Sequence, residues 1–172
     1  MFKRIAGVVV AASLLCGASA QAADYRLDFT ATSFRPIYGS PGPAPFNSAT
    51  GYAIFSADSL GSSWTAVKNF GLTIGNVHFT RSDVGVDLWA SGAFVGGLLN
   101  DLNGIGSGTN DFWIDLSTTQ SFRFAYTSVS KSGYWESYDI KQAVSAVPEP
   151  ATYGMFLAGL GLLGVVARRR KA

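Results

Sequence analysis

Residues suited to nucleophilic or metal chemistry are scarce in this chain of 172 residues. It contains one histidine, His78, and one cysteine, Cys16. A catalytic triad needs a histidine held by a third group, and a zinc site needs several cysteine or histidine ligands. His78 falls in the segment NVHFT, where a lone strand histidine is typically a surface or hydrogen-bonded residue. We therefore predict a protein without catalytic residues, metal or cofactor, and not an enzyme.

Carboxylates beside aromatic rings indicate a different chemistry, the binding of sugars. Glu136 stands among aromatic residues in the segment YWESYD. Strand alternation places Tyr134, Glu136 and Tyr138 on one face and Trp135 on the other. Rings can accept the C–H faces of sugars, so the three residues on the shared face are candidate glycan contacts. The alternative is that about half of these aromatic residues belong to the core.

Two stronger forms of the sugar hypothesis stay open at this point. A polysaccharide hydrolase needs two carboxylates about 5–10 Å apart in a cleft, and nothing in the sequence marks any two as partners. A glycan-binding module would instead show exposed tryptophans in a row on one face. The candidates for such a row are Trp64, Trp89, Trp113 and Trp135.

Oxygen donors also gather in the Gly- and Asn-rich segment NDLNGIGSGTND, which begins at residue 100. Its candidate calcium ligands are Asp101, Asn103 and Asp111. An EF-hand loop needs an oxygen donor at position 5 and a glutamate at position 12. Counted from Asp101, these positions are Ile105 and Phe112, so that motif is absent. A turn-rich connection is the simpler interpretation, and a calcium loop of another kind is the alternative.

The elements that must position these residues are predicted to be β-strands. YRLDFTAT and SFRFAYTSV alternate apolar and polar side chains, as a half-buried strand does. Gly75-Asn76 separates two apolar segments and is typical of a tight hairpin turn. The proline-rich stretch RPIYGSPGPAPF cannot join a central strand and predicts a surface loop. SADSLGSSWTAVKNF carries no clear period, and we expect a loop there.

Short strands separated by Gly, Ser and Asn turns every 8–12 residues are typical of an all-β fold. We predict an antiparallel β-sandwich, jelly-roll-like or Ig-like, over residues 23–146. These residues include no cysteine, so the domain must be stabilised by its core without disulfides. Between Asp24 and Val147, seven basic residues stand against ten acidic ones, a formal charge of −3. Such a domain lacks the basic surface that binds nucleic acid.

The N-terminal segment has the layout of a secretory signal peptide. Lys3-Arg4 precedes an apolar stretch, and Ala20-Gln21-Ala22 fits the small-residue cleavage pattern. We predict a signal helix in residues 1–22 with cleavage after Ala22, with Ala20 and Ala23 as alternatives, and export through the Sec machinery. A membrane helix is the competing interpretation, but the apolar run from Ile5 to Leu15 is short for a bilayer.

The C-terminal segment, residues 147–172, combines an apolar run with a charged end. Residues 151–167 carry no charge and would form a helix about 25 Å long, at the short limit for a hydrocarbon layer of about 30 Å. We predict a transmembrane helix there. A basic stop follows at Arg168, Arg169, Arg170 and Lys171. Composition alone leaves a permanent anchor and a removable signal equally open.

Pro148, Glu149 and Pro150, the short Gly-rich helix and the terminal basic cluster together resemble the PEP-CTERM sorting signal. That pattern occurs in exported proteins of Gram-negative bacteria that make exopolysaccharide. The resemblance implies recognition by an exosortase, a membrane-embedded transpeptidase-like enzyme, and removal of the tail near Pro-Glu-Pro. It also implies passage through the inner membrane, at least transiently, toward the outer envelope or extracellular matrix. We therefore expect a non-enzymatic matrix protein associated with exopolysaccharide or biofilm.

Overall fold

The computed structural model describes residues 22–37, 42–97, 108–121, 123–148 and 150–169. Within these ranges the chain forms eleven strands, a 3-10 helix and one α-helix. In chain order they are β1 (Ala23–Thr32), β2 (Arg35–Pro36), β3 (Ser48–Ala57), β4 (Trp64–Ile74), β5 (Val77–Thr80), η1 (Arg81–Asp83), β6 (Gly85–Trp89), β7 (Gly92–Gly96), β8 (Phe112–Ser117), β9 (Arg123–Ser128), β10 (Lys131–Ser137), β11 (Asp139–Ala146) and α1 (Pro150–Arg169).

The strands build two antiparallel sheets, which confirms the predicted β-sandwich. The first sheet has the order β11-β1-β3-β4-β5, and the second has the order β2-β10-β9-β8-β7-β6. In the second sheet, β6 to β10 are neighbours both in the chain and in the sheet, so this part is a meander. Four connections pass between the sheets, namely β1–β2, β2–β3, β5–β6 and β10–β11.

The core lies between the sheets and is largely aromatic. Phe112 of β8 packs against Phe70 and Phe79 of the first sheet, with ring centroids 5.8 and 4.7 Å apart. On its own sheet it meets Phe124 at 6.0 Å. All four rings are buried. Because Phe112 contacts rings on both sheets, it lies at the centre of the packing.

The expectation of a loop around SADSLGSSWTAVKNF was wrong in its second half, where β4 begins at Trp64. In this second half, residues 64–70, the buried residues are Trp64, Val67 and Phe70, which recur every three residues. The register against β3 shifts twice here, so that two extra residues enter β4. Each β-bulge changes the phase of the alternation. The strand therefore lacks the period of two that would have identified it.

The expectation of a loop over the proline-rich stretch was wrong at its start, where Arg35 and Pro36 form the two-residue edge strand β2. Residues 38–41 of the stretch lie outside the described ranges. Its later part is held against the second sheet by Tyr126 of β9. The Tyr126 hydroxyl donates to the Phe46 carbonyl at 2.7 Å and accepts from the Phe46 amide at 2.9 Å. The Trp135 indole donates to the Gly42 carbonyl at 3.2 Å. These bonds satisfy loop backbone groups that the sheets cannot pair.

The C-terminal segment contains the predicted helix, but its transmembrane assignment is not confirmed. Helix α1 spans 20 residues. Among the residues that the structure describes, no helix meets the length and apolarity needed to cross a membrane. The predicted signal peptide, residues 1–22, lies outside the described ranges apart from residue 22.

Truncating Phe112 should destabilise the domain strongly. We expect Phe112→Ala to lower the free energy of unfolding by about 3–5 kcal/mol, because it removes ring contacts to both sheets and leaves a cavity. Urea denaturation followed by tryptophan fluorescence measures this change. Leu60→Ala is the control, since that residue is 58% exposed, and its cost should stay near 0.5 kcal/mol. Equal costs for both variants would contradict the central role of Phe112.

Tyr126 should make stability fall at alkaline pH. Burial raises the pKa of Tyr126 to about 12, above the value of about 10 for an unfolded tyrosine. The unfolded state therefore loses its proton first, and stability present below pH 10 is lost as the pH rises toward 12. In Tyr126→Phe we expect lower stability at neutral pH, by about 1–3 kcal/mol, and a shallower decline above pH 10. If the free energy of unfolding fell in parallel with pH in the wild type and in Tyr126→Phe, this role of Tyr126 would be ruled out.

Candidate functional site

The outer face of the second sheet combines aromatic and charged side chains. On β8, Phe112 and Ile114 point into the core, so alternation sends Trp113 and Asp115 outward. The register then sets Asp115 opposite Phe94 of β7 and opposite Arg123 of β9. Side chains from three neighbouring strands thus meet on the surface away from the core.

Three aromatic rings form a row across this face. Phe94 lies between the two others, with its centroid 6.1 Å from Trp89 and 5.4 Å from Trp113. All three residues are partly exposed. The Trp89 ring lies over Gly92, where a Cβ would come within 2.8 Å of the Trp89 Cζ2 atom. Gly92 therefore leaves room for one end of the row to lie flat on the sheet.

Arg123 links the row to a buried carboxylate. Its guanidinium lies over the Trp113 ring, 5.2 Å from the centroid, and forms an ion pair with Glu136 of β10. The Glu136 side chain is 6% exposed, whereas that of Arg123 is 44% exposed. The other oxygen of Glu136 accepts a hydrogen bond of 2.9 Å from Tyr138, and this bond raises the pKa of the Tyr138 hydroxyl. Both carboxylate oxygens of Glu136 are thus occupied.

Three polar atoms beside the row have no hydrogen-bond partner among the described residues. They are the Asp115 Oδ1, the Arg123 Nε and the Trp89 Nε1. Burial raises the pKa of Asp115, since a carboxylate loses hydration there without gaining a donor. Buried polar groups are paired in the great majority of cases. All three atoms are covered by their neighbours, as is the unpaired Nε1 of the core residue Trp64.

We call the outer surface formed by Trp89, Phe94, Trp113, Asp115, Arg123 and Glu136 the aromatic face. Of the predicted glycan contacts, Glu136 belongs to it, and Tyr138 reaches it through the hydrogen bond to Glu136. Tyr134 is two residues from Glu136 on the same strand face and is partly exposed. Two of the four candidate tryptophans, Trp64 and Trp135, are core residues instead, at 4% and 0% exposure.

Sequence reasoning missed Phe94, Asp115 and Arg123. The signal was present in FWIDL and SFRFAYTSV, where the residues between buried positions must point outward. Neither segment shows which outward residues of one strand lie beside those of the next, because that depends on register. The register places Trp113 opposite Ala125, and Ala125 opposite Glu136.

The structure describes one of the three candidate calcium ligands, Asp111. Asp101 and Asn103 lie outside the described residues. Asp111 is buried at 3% exposure, and its Oδ1 accepts a hydrogen bond of 2.8 Å from the Phe112 amide. No cluster of three His, Cys, Asp or Glu residues suited to a metal exists within the described ranges.

The outer face of the first sheet has a different character. Arg26 pairs with Asp28 at 2.8 Å and lies 4.1 Å from the centre of the Tyr52 ring. These residues line a shallow depression of about 360 Å³ that His78 also borders. His78 is exposed and shares a hydrogen bond of 3.0 Å with Thr73. This surface therefore has a single stacked ring and a satisfied ion pair.

The C-terminal segment leaves the sandwich beside strand β1. The Val147 amide donates to the Asp24 carbonyl at 2.8 Å. Pro148 is exposed, Glu149 lies outside the described residues, and α1 starts at Pro150. Proline suits the first helical position, where its missing amide is not needed. Among the residues of α1 whose burial the structure describes, the large apolar side chains are exposed, namely Tyr153, Met155, Phe156, Leu157, Leu160 and Leu163.

Comparison with known proteins identifies this segment as a sorting signal. Residues 146–171 match the PEP-CTERM protein-sorting motif, which bears out the resemblance noted in the sequence. No curated protein matches the chain. The motif implies an exosortase as the processing partner and export toward the cell envelope. It covers the segment after the sandwich, so it identifies the route of the protein and not the activity of its folded domain.

Removing the charge of Glu136 should cost more than removing a comparable exposed charge. We expect Glu136→Gln to lower the free energy of unfolding by about 1–3 kcal/mol, because Arg123 loses a buried charged partner. Asp28→Asn breaks the exposed pair with Arg26, whose side chains are 40% and 51% exposed, and should cost less than about 1 kcal/mol. Chemical denaturation of both variants tests the difference. A larger loss in Asp28→Asn would contradict the proposed structural role of Glu136.

Proposed function

We propose that this protein is a non-catalytic component of the outer envelope or extracellular matrix, associated with exopolysaccharide. The observation that carries the proposal is the PEP-CTERM motif at residues 146–171, directly after an all-β domain that begins at Ala23. In this proposal the Sec machinery exports the chain, the inner membrane holds it transiently, and an exosortase removes the tail. The host is a Gram-negative bacterium, and the matrix is a biofilm.

A non-catalytic role is supported by the state of the carboxylates on the aromatic face. Glycoside hydrolysis needs two carboxyl groups that reach the substrate, one as an acid and the other as a base or nucleophile. Asp115 and Glu136 share this face, but Glu136 is buried at 5% exposure. Arg123 and Tyr138 occupy its two oxygens. Glu136 is thus better suited to hold Arg123 over Trp113 than to attack a sugar.

Tail removal tests the proposed route. Intact-mass analysis of the protein from its native host should show loss of residues after the Pro-Glu-Pro site in the wild type. Glu149→Ala should retain them, because the substitution removes the charge between Pro148 and Pro150 that the processing enzyme would read. Asp58→Ala, which changes an exposed carboxylate of the sandwich, should be processed like the wild type.

Retention of the complete tail in the wild-type protein, within the membrane fraction, would overturn this route and leave a permanent anchor. Loss of the tail in Glu149→Ala at the wild-type level would exclude Glu149 as part of the recognised site. The Asp58→Ala control separates both outcomes from a general failure of export, because this variant keeps both the export signal and the sorting motif of the wild type.

A further inference from the structure

The aromatic face carries a row of rings with unpaired polar atoms at its sides. Trp89, Phe94 and Trp113 follow one another at 6.1 and 5.4 Å. An aromatic row on a sheet surface offers a flat apolar strip, and its rings remain partly exposed. Sugars present C–H groups on the faces of their rings, so successive sugar units of a chain can stack along such a strip. The strip by itself is compatible with any apolar partner.

The partly exposed polar side chains beside the row narrow the class of ligand. All three unpaired atoms have almost no accessible surface, so a ligand on the face would meet the other polar atoms of Asp115 and Arg123, where a carboxylate oxygen accepts and the outer guanidinium nitrogens donate. A hydroxyl group can both donate and accept, so a polyhydroxylated ligand can bond to both side chains. Asp115 is only half-buried, and the Arg123 side chain is 44% exposed. Both side chains are therefore within reach of a ligand lying on the row.

The charge of the face argues against an acidic polymer. Alternation and register place three carboxylates here, those of Asp87, Asp115 and Glu136, together with the guanidinium groups of Arg35 and Arg123. The formal balance is slightly negative. Arg123 is already paired with Glu136, and no described residue pairs with Asp115 Oδ1. A chain bearing carboxylates or phosphates would meet like charge beside the row.

We infer that the aromatic face binds a neutral polysaccharide, with sugar rings stacked on Trp89, Phe94 and Trp113 and hydroxyl groups bonded to Asp115 and Arg123. In this arrangement Glu136 is a positioning residue, because it holds the Arg123 guanidinium over the Trp113 ring. The inference rests on the proposed function, since it names the surface through which a matrix protein would hold exopolysaccharide. The inference differs from the proposed function in that it concerns the folded domain alone and does not require tail removal.

Affinity gel electrophoresis of the exported protein, purified from its host, provides the test. The neutral probes are hydroxyethyl cellulose, xyloglucan, galactomannan and dextran, and carboxymethyl cellulose serves as the anionic counterpart of the first. We expect at least one neutral polymer to retard the wild type, and carboxymethyl cellulose to retard it less than hydroxyethyl cellulose. Trp113→Ala and Trp89→Ala should each weaken binding by about tenfold or more, and Asp115→Asn by about fivefold.

Tyr52→Ala is the matched control. It removes a ring over which an arginine lies, as in the Trp113 site, but on the outer face of the first sheet. This variant should bind like the wild type. Circular dichroism and thermal unfolding show whether each variant is folded, and Trp113→Phe, which keeps a ring, should retain part of the binding.

Absence of retardation by all four neutral polymers would overturn the inference, as would binding unchanged in Trp113→Ala. Stronger binding to carboxymethyl cellulose than to hydroxyethyl cellulose would refute the neutral ligand. A dimer in size-exclusion chromatography that Trp113→Ala dissociates, without any glycan binding, would assign the face to a second copy of the chain. Release of new reducing ends from a bound polymer would overturn the non-catalytic function while leaving the binding surface in place.

Discussion

The structure depends on the buried aromatic packing between the two sheets, at whose centre Phe112 contacts both Phe70 and Phe79. No disulfide can assist it, because the only cysteine of the chain, Cys16, lies outside the domain. Secreted domains of modest size often use disulfides for this purpose. Here large rings bury enough apolar surface to hold the sheets together. The close stack of Phe55 on Trp64, with centroids 3.9 Å apart, joins the neighbouring strands β3 and β4 within the first sheet.

The same alternation that creates this core also creates the aromatic face. On β8 one step along the strand separates Phe112, which is fully buried, from Trp113, which is partly exposed. Small residues on the outer side, Gly92 and Ala125 among them, lie close to the sheet and are themselves buried. Large rings can therefore cover them without disturbing the strands. Core and surface aromatics have different environments although their residue types are alike.

The sorting motif and the aromatic face are encoded in different ways in this chain. The sorting motif occupies contiguous residues, 146–171, and can be recognised without the fold. The aromatic face draws its residues from five strands, β6 to β10, and exists only after this meander has formed. An enzyme that processes the tail can thus act on a local sequence, whereas any ligand of the face requires the folded domain.

The sequence by itself determined the all-β class, the hairpin turn at Gly75, whose φ is 59° in the structure, and the sorting motif. Each of these depends on residues close together in the chain, where alternation, turn chemistry or a linear motif is sufficient. It indicated Glu136 and Trp113 as separate candidates but did not connect them. It failed for β4, because two β-bulges replaced the period of two by a spacing of three.

Only the tertiary structure decided which tryptophans are buried and which charged residues meet. Trp64 and Trp135 became core residues, whereas Trp89 and Trp113 joined Phe94 on the surface. Asp115, Arg123 and Glu136 come from three strands, and their proximity is set by register. A shift of one residue would send each of these side chains to the opposite face. Long-range register results from the packing of the whole core, and no short stretch of sequence encodes it.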